Sequence, residues 1–382
     1  MKEDPALQSM TIDRQQLHRA PLEGEVRIPS GCAIAGVFHK KGGLIGGDTI
    51  IRTMEPMHDR SNGLGGGFAG YGIYPEFADC YAFHLFYDNE NAREECERYI
   101  KRYFDVASMS VMPVHKMKEI TDAPIIWRYF VMPKTWRCEE EDLDEKAYTA
   151  RHVLDVNSNI RGAFIFSSGK NMGVFKGVGF PEDMGRYFRL DEYEATCWTA
   201  HGRYPTNTPG WWGGAHPFAL LDTSVVHNGE ISSYDANRRC MEMYGYDCNL
   251  LTDTEVIAYM LDYLVRKQGL TWAEAANVVA APFWSTIDHL PEAEKKRMTF
   301  LRNRFASMLI TGPFSILVGF NGGMMALNDR LKLRSMVVAE TEDIAYVASE
   351  ECAIRSICPD IEGVWAPRGG QPVIFTREGG KA

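Results

Sequence analysis

Short apolar runs of β-strand type dominate this chain after residue 160. They lie at 162–167, 172–177, 195–200, 223–227, 314–320, 324–328, 336–339, 344–348 and 372–376. Helical patterns interrupt them at 252–266, 271–281 and 291–305. Because strand runs follow one another without strict alternation with helices, the pattern favours antiparallel sheets covered by helices over a doubly wound parallel sheet. No period of about 20 to 50 residues recurs, which argues against a repeat architecture.

Composition narrows the class of protein. The chain has 382 residues, 45% of them hydrophobic, which is enough for one large or two ordinary domains. Its net charge of -10 argues against nucleic acid or an anionic membrane as a partner. No apolar run approaches the roughly 18 to 20 residues that cross a bilayer, and the first 31 residues lack the apolar core of a secretory signal. We therefore expect a cytoplasmic globular protein.

Cysteine and histidine spacing shows no metal or disulfide pattern. The nine cysteines are odd in number and include no C-x-x-C pair, and the ten histidines include no H-E-x-x-H motif. Such spacing is typical of reduced thiols in a cytoplasmic protein. We predict no metal site and no cofactor bound by this chain.

The N-terminal region changes character at Cys32. Residues 1–31 mix charges with three prolines and show no sustained period, so we predict an extension or a removable propeptide. Cys32 then opens an apolar strand at 32–38. A cysteine made N-terminal by cleavage would carry both a thiol nucleophile and an α-amine of pKa about 8 to act as its base. The alternative is that Cys32 is a small buried side chain on a strand.

A further segment, at about 80–158, has the pattern of an inserted subdomain. It contains a strand run at 81–87, a charged amphipathic helix at 89–104, and prolines that punctuate further strands. We predict a small α/β subdomain here, within a main domain that spans 32–382.

Four short segments together indicate acyl-transfer chemistry. They are Cys32-Ala-Ile-Ala-Gly36, His201-Gly-Arg-Tyr-Pro-Thr-Asn-Thr208, His227-Asn-Gly-Glu230 and Thr252-Asp-Thr-Glu-Val-Ile-Ala258. Hydrolysis of an amide needs a nucleophile, a base, donors for the oxyanion and groups that hold the substrate. In this order the segments resemble the class II glutamine amidotransferases, the Ntn-hydrolase glutaminases. Two later segments, at 328–334 and 346–350, extend the resemblance to nearly all of 32–376.

The resemblance implies a fold and a set of site residues. The fold is a four-layer αββα sandwich of two antiparallel sheets between helical layers. Cys32 would be the nucleophile, with Asn228 and Gly229 forming the oxyanion hole. Arg203 would bind the α-carboxylate of glutamine and Asp253 its α-ammonium group, with Thr206 and His216 as weaker candidates for lining the pocket.

Each of these residues also has a structural explanation. An arginine such as Arg203 offers paired donors that match a carboxylate, but in isolation it often forms a surface ion pair. Asn228-Gly229 is also a common turn sequence. Asp253 lies within Thr252-x-x-Glu255, a capping-box pattern that favours an acidic first turn whether or not a ligand binds.

The chain departs from the family pattern at three places. Ala33 follows the cysteine where glycine is usual, and Gly202 stands between His201 and Arg203 where threonine is usual. Neither change removes a functional group. The stretch His58-Asp-Arg-Ser-Asn-Gly63 only loosely resembles the usual His-Arg-Gly-x-Asp pattern, which leaves the role of Arg60 open.

Within the family, the overall pattern is most similar to the glutaminase subunit of archaeal-type glutamate synthase. That likeness implies hydrolysis of L-glutamine to glutamate and ammonia through a cysteine thioester. It also implies a partner subunit that carries FMN and iron–sulfur clusters and uses the ammonia. Two alternatives remain: the glutaminase subunit of a related enzyme such as N-methylglutamate synthase, and a non-catalytic scaffold subunit in which Cys32 is never exposed by cleavage.

Overall fold

The computed structural model of this chain describes residues 31–205 and 210–377. The strands of these residues are β1 (Ala33–His39), β2 (Ile45–Gly46), β3 (Gly66–Tyr71), β4 (Tyr81–Tyr87), β5 (Phe104–Val111), β6 (Ile125–Pro133), β7 (Ala163–Ser167), β8 (Met172–Gly177), β9 (Glu194–Ala195), β10 (Cys197–Gly202), β11 (Phe218–Leu220), β12 (Thr223–Gly229), β13 (Phe314–Phe320), β14 (Gly323–Asn328), β15 (Val337–Glu340), β16 (Ile344–Ala348) and β17 (Val373–Thr376).

The α-helices of the same residues are α1 (Gly47–Met54), α2 (Glu90–Tyr103), α3 (Thr135–Glu140), α4 (Glu145–Asn159), α5 (Pro181–Tyr187), α6 (Tyr234–Met243), α7 (Asp253–Asp262), α8 (Trp272–Val279), α9 (Trp284–Ile287), α10 (Glu292–Arg304) and α11 (Glu351–Arg355). Among the residues described, no helix combines the length and the apolar character that a bilayer crossing requires. The chain is therefore a mixed α+β protein, as the sequence predicts.

Two antiparallel sheets form the centre of the molecule. The first has the strand order β15-β16-β1-β10-β3-β8, and the second has the order β11-β12-β13-β14-β17. Neighbouring strands in both sheets run antiparallel, in agreement with the pattern of consecutive strand runs. The sheets contact each other through β1 and β10 on one side and β12 and β13 on the other.

The space between the two sheets is narrow. A Cβ atom added to Gly36 on β1 would lie 2.5 Å from Leu317 Cδ2 and 2.7 Å from Met324 Sδ on the opposite sheet. Val226 on β12 and Ala326 on β14 belong to the same buried apolar cluster. Side chains alternate between the two faces of a strand, so residues four positions apart point to the same face. Cys32 lies four positions before Gly36, and this spacing directs its side chain toward the same face of the six-stranded sheet.

Helices cover the outward faces of these sheets. Helix α1 packs on β1 and β10, and α5 packs on β3, so both lie against the six-stranded sheet. Helix α7 packs on β11 and β12 of the five-stranded sheet. Its apolar positions Val256, Ile257 and Met260 are fully buried there.

A third sheet, of four strands in the order β5-β6-β4-β7, occupies the segment predicted as a subdomain. Its strands β4 and β6 pair in a continuous register from Tyr81 with Val131 to Tyr87 with Ile125. Helices α2 and α4 pack on this sheet. Strand β7 lies beyond residue 158 and still belongs to it, so the sheet extends further along the chain than the predicted segment. That the segment is an insertion stays a prediction.

Two helices change type along their length. Helix α1 is α-helical to Met54 and continues as a 3-10 helix, Glu55–Arg60, which contains Pro56, a residue with no backbone N–H to donate. The predicted helix at 252–266 is α-helical from Asp253 to Asp262 and ends as a π-helix, Tyr263–Lys267.

The capping-box pattern at Thr252 is also not realised. The Thr252 side chain makes no cap hydrogen bond, and Glu255 instead accepts a hydrogen bond from the backbone N–H of Leu250 at 2.9 Å. A full capping box forms at Thr271 and Glu274, at the start of α8.

Candidate active site

One cavity collects most of the predicted site residues. It has a volume of about 490 Å³ and lies where β1, β10 and β12 end beside the first turn of α7. We call it the Cys32 cavity. Its lining includes Cys32, Arg203, Tyr204, His216, His227, Gly229, Glu230, Tyr234, Thr252 and Asp253. Segments separated by up to 221 positions of sequence thus meet at one edge of the two sheets.

Cys32 lies immediately before β1 and is partly buried. Its Sγ accepts a hydrogen bond from the backbone N–H of Tyr204 at 3.4 Å. Burial raises the pKa of the thiol, although this N–H and the Arg203 charge act in the opposite direction. The thiol therefore needs a base before it can attack, since the thiolate is the reactive form.

Two side chains fix the main chain around Cys32. Arg60 Nε donates to the Cys32 carbonyl oxygen at 2.9 Å, and Arg60 Nη1 donates to Glu350 Oε1 at 2.7 Å. Ile34 N–H donates to Ser349 Oγ at 3.0 Å. The structure therefore places Arg60, whose role the sequence left open, against the backbone of the proposed nucleophile.

Asp253 is the first residue of α7 and is held by three donors. Its Oδ2 accepts from Ile231 N–H at 3.2 Å, and its Oδ1 lies 3.3 Å from His227 Nδ1 and 3.2 Å from Thr254 Oγ1. Burial alone raises the pKa of Asp253, but His227 and these hydrogen bonds more than offset it, so the net pKa is below its ordinary value. Asp253 is a fixed carboxylate that can pair with an ammonium group.

Arg203 follows the last residue of β10 and is 5% exposed. Its backbone is fixed on both sides, because its N–H donates to Gly65 O at 2.8 Å and its carbonyl oxygen accepts from Ser61 Oγ at 3.0 Å. Burial lowers the pKa of the guanidinium, and the neighbouring Asp253 carboxylate opposes this effect. An arginine in this position can bind a carboxylate with two parallel hydrogen bonds.

Asn228 and Gly229 form the end of β12. Gly229 lines the Cys32 cavity, whereas Asn228 is buried and does not line it. Within the described part of the chain, Asn228 Nδ2 has no hydrogen-bond partner. A Cβ atom on residue 229 would lie 2.1 Å from Pro313 O, so only glycine fits. The sequence predicted a turn as the alternative for this pair, and the structure places both residues in a strand.

Three histidines, His201, His216 and His227, form a buried group; His216, a candidate for lining the pocket, lines the Cys32 cavity together with His227. The rings of His201 and His216 stack with centroids 3.9 Å apart, and His201 Nε2 donates to His227 O at 3.0 Å. His216 Nε2 lies 3.2 Å from Thr254 Oγ1. Burial lowers the pKa of His201 to about 3 and also lowers that of His216, so both rings are neutral at pH 7. The uncharged ring of His216 lines the cavity, and His201 stacks behind it.

Two contacts in the cavity could not be predicted from residue types. The Tyr204 N–H on the sulfur and the Ile231 N–H on Asp253 are main-chain groups, which any residue could supply.

Thr206, which the sequence placed at the pocket, lies outside the described residues. Among the residues described, no group of three or more His, Cys, Asp or Glu side chains is arranged to hold a metal ion.

The cavity combines a thiol with groups that bind opposite charges. Arg203 and Asp253 provide a cation and an anion, and the thiol of Cys32 lines the same space. A zwitterionic amino acid fits this pair of charges, with its side chain free to reach the sulfur. Chemically, the arrangement suits attack by sulfur on a carbonyl carbon of such a ligand.

Comparison with known families agrees with this chemistry. The model of the glutamine amidotransferases class-II matches residues 82–361, which is more than half of the chain. The match contains Arg203, Asn228, Gly229 and Asp253 and begins after Cys32.

Three proteins with related sequences align with this chain over different fractions of their own length. A protein of Archaeoglobus fulgidus, described as uncharacterized, is 47% identical over 90% of this chain and 91% of its own. The amidophosphoribosyltransferase of Methanocaldococcus jannaschii is 25% identical over 57% of this chain and 41% of its own. The glutamine amidotransferase-like protein GlxB of Rhizobium meliloti is 27% identical over 53% of this chain and 59% of its own.

Among solved structures, the glutamine phosphoribosylpyrophosphate amidotransferase of B. subtilis aligns with 91% of this chain and 48% of its own. The TM-score is 0.47 and the sequence identity is 13%. On the extent of the family match, this chain belongs to the class-II glutamine amidotransferases.

Proposed function

We propose that this chain hydrolyses L-glutamine to glutamate and ammonia with Cys32 as the nucleophile, after cleavage between Gly31 and Cys32. The observation that carries the proposal is that Cys32, Arg203 and Asp253 line one cavity of about 490 Å³. In this reaction Arg203 binds the α-carboxylate of glutamine, and Asp253 binds its α-ammonium group. Thr206 is proposed to line the same site.

The proposed reaction proceeds in two steps. The freed α-amine of Cys32 takes the thiol proton, and the sulfur forms a bond to the δ-carbon of glutamine. Asn228 Nδ2 and the Gly229 N–H stabilise the resulting oxyanion. Collapse breaks the C–N bond, and the Cys32 ammonium returns its proton to the departing amide nitrogen, which leaves as ammonia. Water then cleaves the thioester, releases glutamate and restores the thiol.

Cleavage and catalysis are tested together on the purified protein. We expect an intact mass that begins at Cys32, release of glutamate from glutamine, and loss of this activity in Cys32→Ala. The analogue 6-diazo-5-oxonorleucine should add one label at Cys32. Cys352→Ala, which removes an exposed thiol elsewhere, is the matched control and should keep full activity. A full-length mass without cysteine-dependent glutamate release would favour a non-catalytic scaffold.

We further propose an αββα sandwich of the Ntn-hydrolase type. Support comes from the two antiparallel sheets that contact each other through β1, β10, β12 and β13, with α1 and α5 against one outer face and α7 against the other. In such a sandwich the nucleophile lies at the end of a central strand, where a substrate can reach it.

We also propose that the ammonia is used by a partner glutamate synthase subunit that carries FMN and iron–sulfur clusters. The test is purification of the native complex from the source cells, followed by absorption spectra and assays with 2-oxoglutarate. Glutamate formation that depends on both glutamine and the partner is expected. A complex that instead shows methylamine-dependent activity would identify a partner with another acceptor. That result would replace the glutamate synthase partner and leave the glutaminase proposal intact.

A further inference from the structure

A second cavity, of about 690 Å³, lies between the four-stranded sheet and the loops that border the Cys32 cavity. We call it the Trp211 cavity. It is formed by the ends of β4 and β7, by residues 122–124, and by the loops 210–213 and 249–250. Its volume falls in the range of about 300 to 1,000 Å³ that is typical of small-molecule sites. Nothing in the proposed glutaminase reaction uses it.

Aromatic side chains from three parts of the chain line this cavity. Phe86 and Trp212 meet edge to face with ring centroids 5.6 Å apart, and Phe164 and Trp211 lie 6.4 Å apart. Trp211 is 40% exposed, so part of its side chain is accessible to a ligand. Such walls bind an apolar or aromatic side chain of a ligand and exclude water from it.

Charges of both signs lie at one end of the same cavity. Asp88 directly follows β4, and its N–H donates to the carbonyl oxygen of Gly162, the residue after Arg161; Asp88 and Arg161 both line the cavity and are exposed at its mouth. Within the part of the chain that the structure describes, neither Asp88 nor Arg161 forms an ion pair. Asp122 differs, because its Oδ1 accepts from Trp212 Nε1 at 3.4 Å.

We propose that the Trp211 cavity is a binding site for a free L-α-amino acid with an apolar or aromatic side chain. Arg161 binds the α-carboxylate, Asp88 binds the α-ammonium group, and the aromatic walls enclose the side chain. The combination of one cation, one anion and an apolar wall matches a zwitterion with an apolar substituent. A nucleotide fits less well, because Asp88 and Asp122 would repel its phosphates.

The two cavities share their border. Leu250 lines the Trp211 cavity, while the next residues, Leu251 and Thr252, line the Cys32 cavity. On the other side, Gly214 lies between Trp211 and Arg203, since a Cβ on residue 214 would be 2.5 Å from Trp211 Nε1 and 3.0 Å from Arg203 Nη1. A ligand against Trp211 therefore acts on the loop that supports Arg203, and through it on glutamine binding.

Calorimetric titration of the full-length Cys32→Ala protein tests the site without any glutaminase activity. The probes are L-phenylalanine, 3-phenylpropionate, which lacks the ammonium group, and 2-phenylethylamine, which lacks the carboxylate. We expect L-phenylalanine to bind with a Kd near or below about 1 mM and both analogues to bind at least about 10-fold more weakly.

Charge variants identify the contacts. Arg161→Gln should weaken the binding of L-phenylalanine and 3-phenylpropionate by about 10-fold or more and leave the binding of 2-phenylethylamine unchanged. Asp88→Asn should weaken the binding of L-phenylalanine and 2-phenylethylamine to the same extent and leave the binding of 3-phenylpropionate unchanged. Arg98→Gln, which changes an exposed arginine of the same subdomain outside the cavity, should leave all three unchanged.

Three results would overturn the proposal: no binding of L-phenylalanine or L-leucine up to about 10 mM, binding that Arg161→Gln does not weaken, or binding that is lost only in Arg203→Ala and so belongs to the Cys32 cavity. In the active protein the same amino acid should change the KM for glutamine, and Arg161→Gln should abolish that change. This second readout rests on the proposed function, whereas the titration does not.

Discussion

At the scale of single residues, Arg203 carries the clearest consequence for substrate binding. It is almost fully buried, and its backbone is held at both its N–H and its carbonyl oxygen. A buried guanidinium presents two donors in a fixed plane, whereas a lysine ammonium presents a point charge on a flexible stem. Comparing glutamine binding with arginine and with lysine at position 203 therefore measures how much the planar geometry contributes to substrate binding.

For Arg203→Lys we expect the KM for glutamine to rise by about 10- to 100-fold, with a smaller change in kcat, because one charge-assisted hydrogen bond to the substrate is lost. Steady-state kinetics of the cleaved enzyme measure this. Arg355→Lys is the control, since Arg355 is exposed and paired with Glu351 away from the cavity. An unchanged KM would remove Arg203 from the substrate site.

Arg60 provides a second prediction at this scale. Its Nε holds the Cys32 carbonyl oxygen, so Arg60→Gln should displace the nucleophile and lower kcat by about 10-fold or more, while the KM changes less. Kinetics of Arg52→Gln give the comparison, because Arg52 is 55% exposed on the nearby α1 and lies 3.8 Å from Asp48. Equal activity in both variants would contradict a positioning role for Arg60.

The residues of the site differ in how well sequence predicts them. Cys32, Arg203, Gly229 and Asp253 were proposed from the family resemblance, in which acyl transfer needs a nucleophile, an oxyanion donor and charged groups for the substrate, and the structure brings all four to one cavity. The N–H of Tyr204 could not be located from the sequence, because a main-chain donor leaves no trace in residue identity. Asn228, which the resemblance also proposed, is buried and does not line the cavity, and its burial depends on the pairing of β12 with β13.

At the scale of elements, the start of α7 depends on Glu255 rather than on a capping box. Glu255 is 2% exposed, and it accepts hydrogen bonds from Leu250 N–H at 2.9 Å and from the Tyr259 hydroxyl at 3.3 Å. Burial raises the pKa of its carboxyl from 4.5 to about 7. Sequence spacing alone predicted the reciprocal cap, because it could not show that the carboxylate turns toward the preceding loop.

This raised pKa predicts a pH-dependent stability. The neutral carboxyl stabilises the folded state fully below the unfolded pKa of 4.5, and this contribution is lost as pH rises through about 7. Relative to Glu255→Gln, the wild type should lose up to about 3 kcal/mol of unfolding free energy between pH 4.5 and pH 8. Urea denaturation of both proteins at these two pH values measures it. Parallel pH profiles would show that Glu255 does not titrate in this range.

At the scale of the whole molecule, the two main sheets are held together by close approaches that differ in kind. At Gly36 on β1, the nearest atoms to an added Cβ are the ends of the Leu317 and Met324 side chains, at 2.5 and 2.7 Å, which can move, and the nearest backbone atom, Trp198 O, is 3.3 Å away. At Gly67 on β3, it would lie 2.2 Å from the carbonyl oxygen of His216 and 2.7 Å from that of Phe175, which cannot. The second contact joins the six-stranded sheet to the loop before β11, which carries His216, whose ring stacks on His201 of β10.

We therefore expect Gly67→Ala to lower the free energy of unfolding by about 3 kcal/mol or more and Gly36→Ala by about 1 kcal/mol. The first variant should also lose activity, since it displaces His216 from the wall of the Cys32 cavity. Urea denaturation with the glutaminase assay distinguishes the two. An equal loss of unfolding free energy in the two variants would contradict the expectation that backbone neighbours move less easily than side-chain neighbours.

The sequence predicts the individual strands, but it does not predict how segments that are distant in sequence pack together. The antiparallel sheets could be predicted because each strand shows its own apolar pattern, and the observed bounds differ by only a few residues. The Trp211 cavity could not, because its walls come from segments near 86, 161, 211 and 249, none of which has a motif. Only the packing of the four-stranded sheet against the loops brings them together.

The backbone contacts of Cys32 have a consequence for how the protein would become active. Arg60 holds the carbonyl oxygen of Cys32, and Ser349 holds the N–H of Ile34, so both contacts use atoms that follow the proposed cleavage point. Cutting before Cys32 would leave each of them in place. Cleavage would then turn the amide nitrogen of Cys32 into a basic amine next to a thiol whose main chain is already held in place.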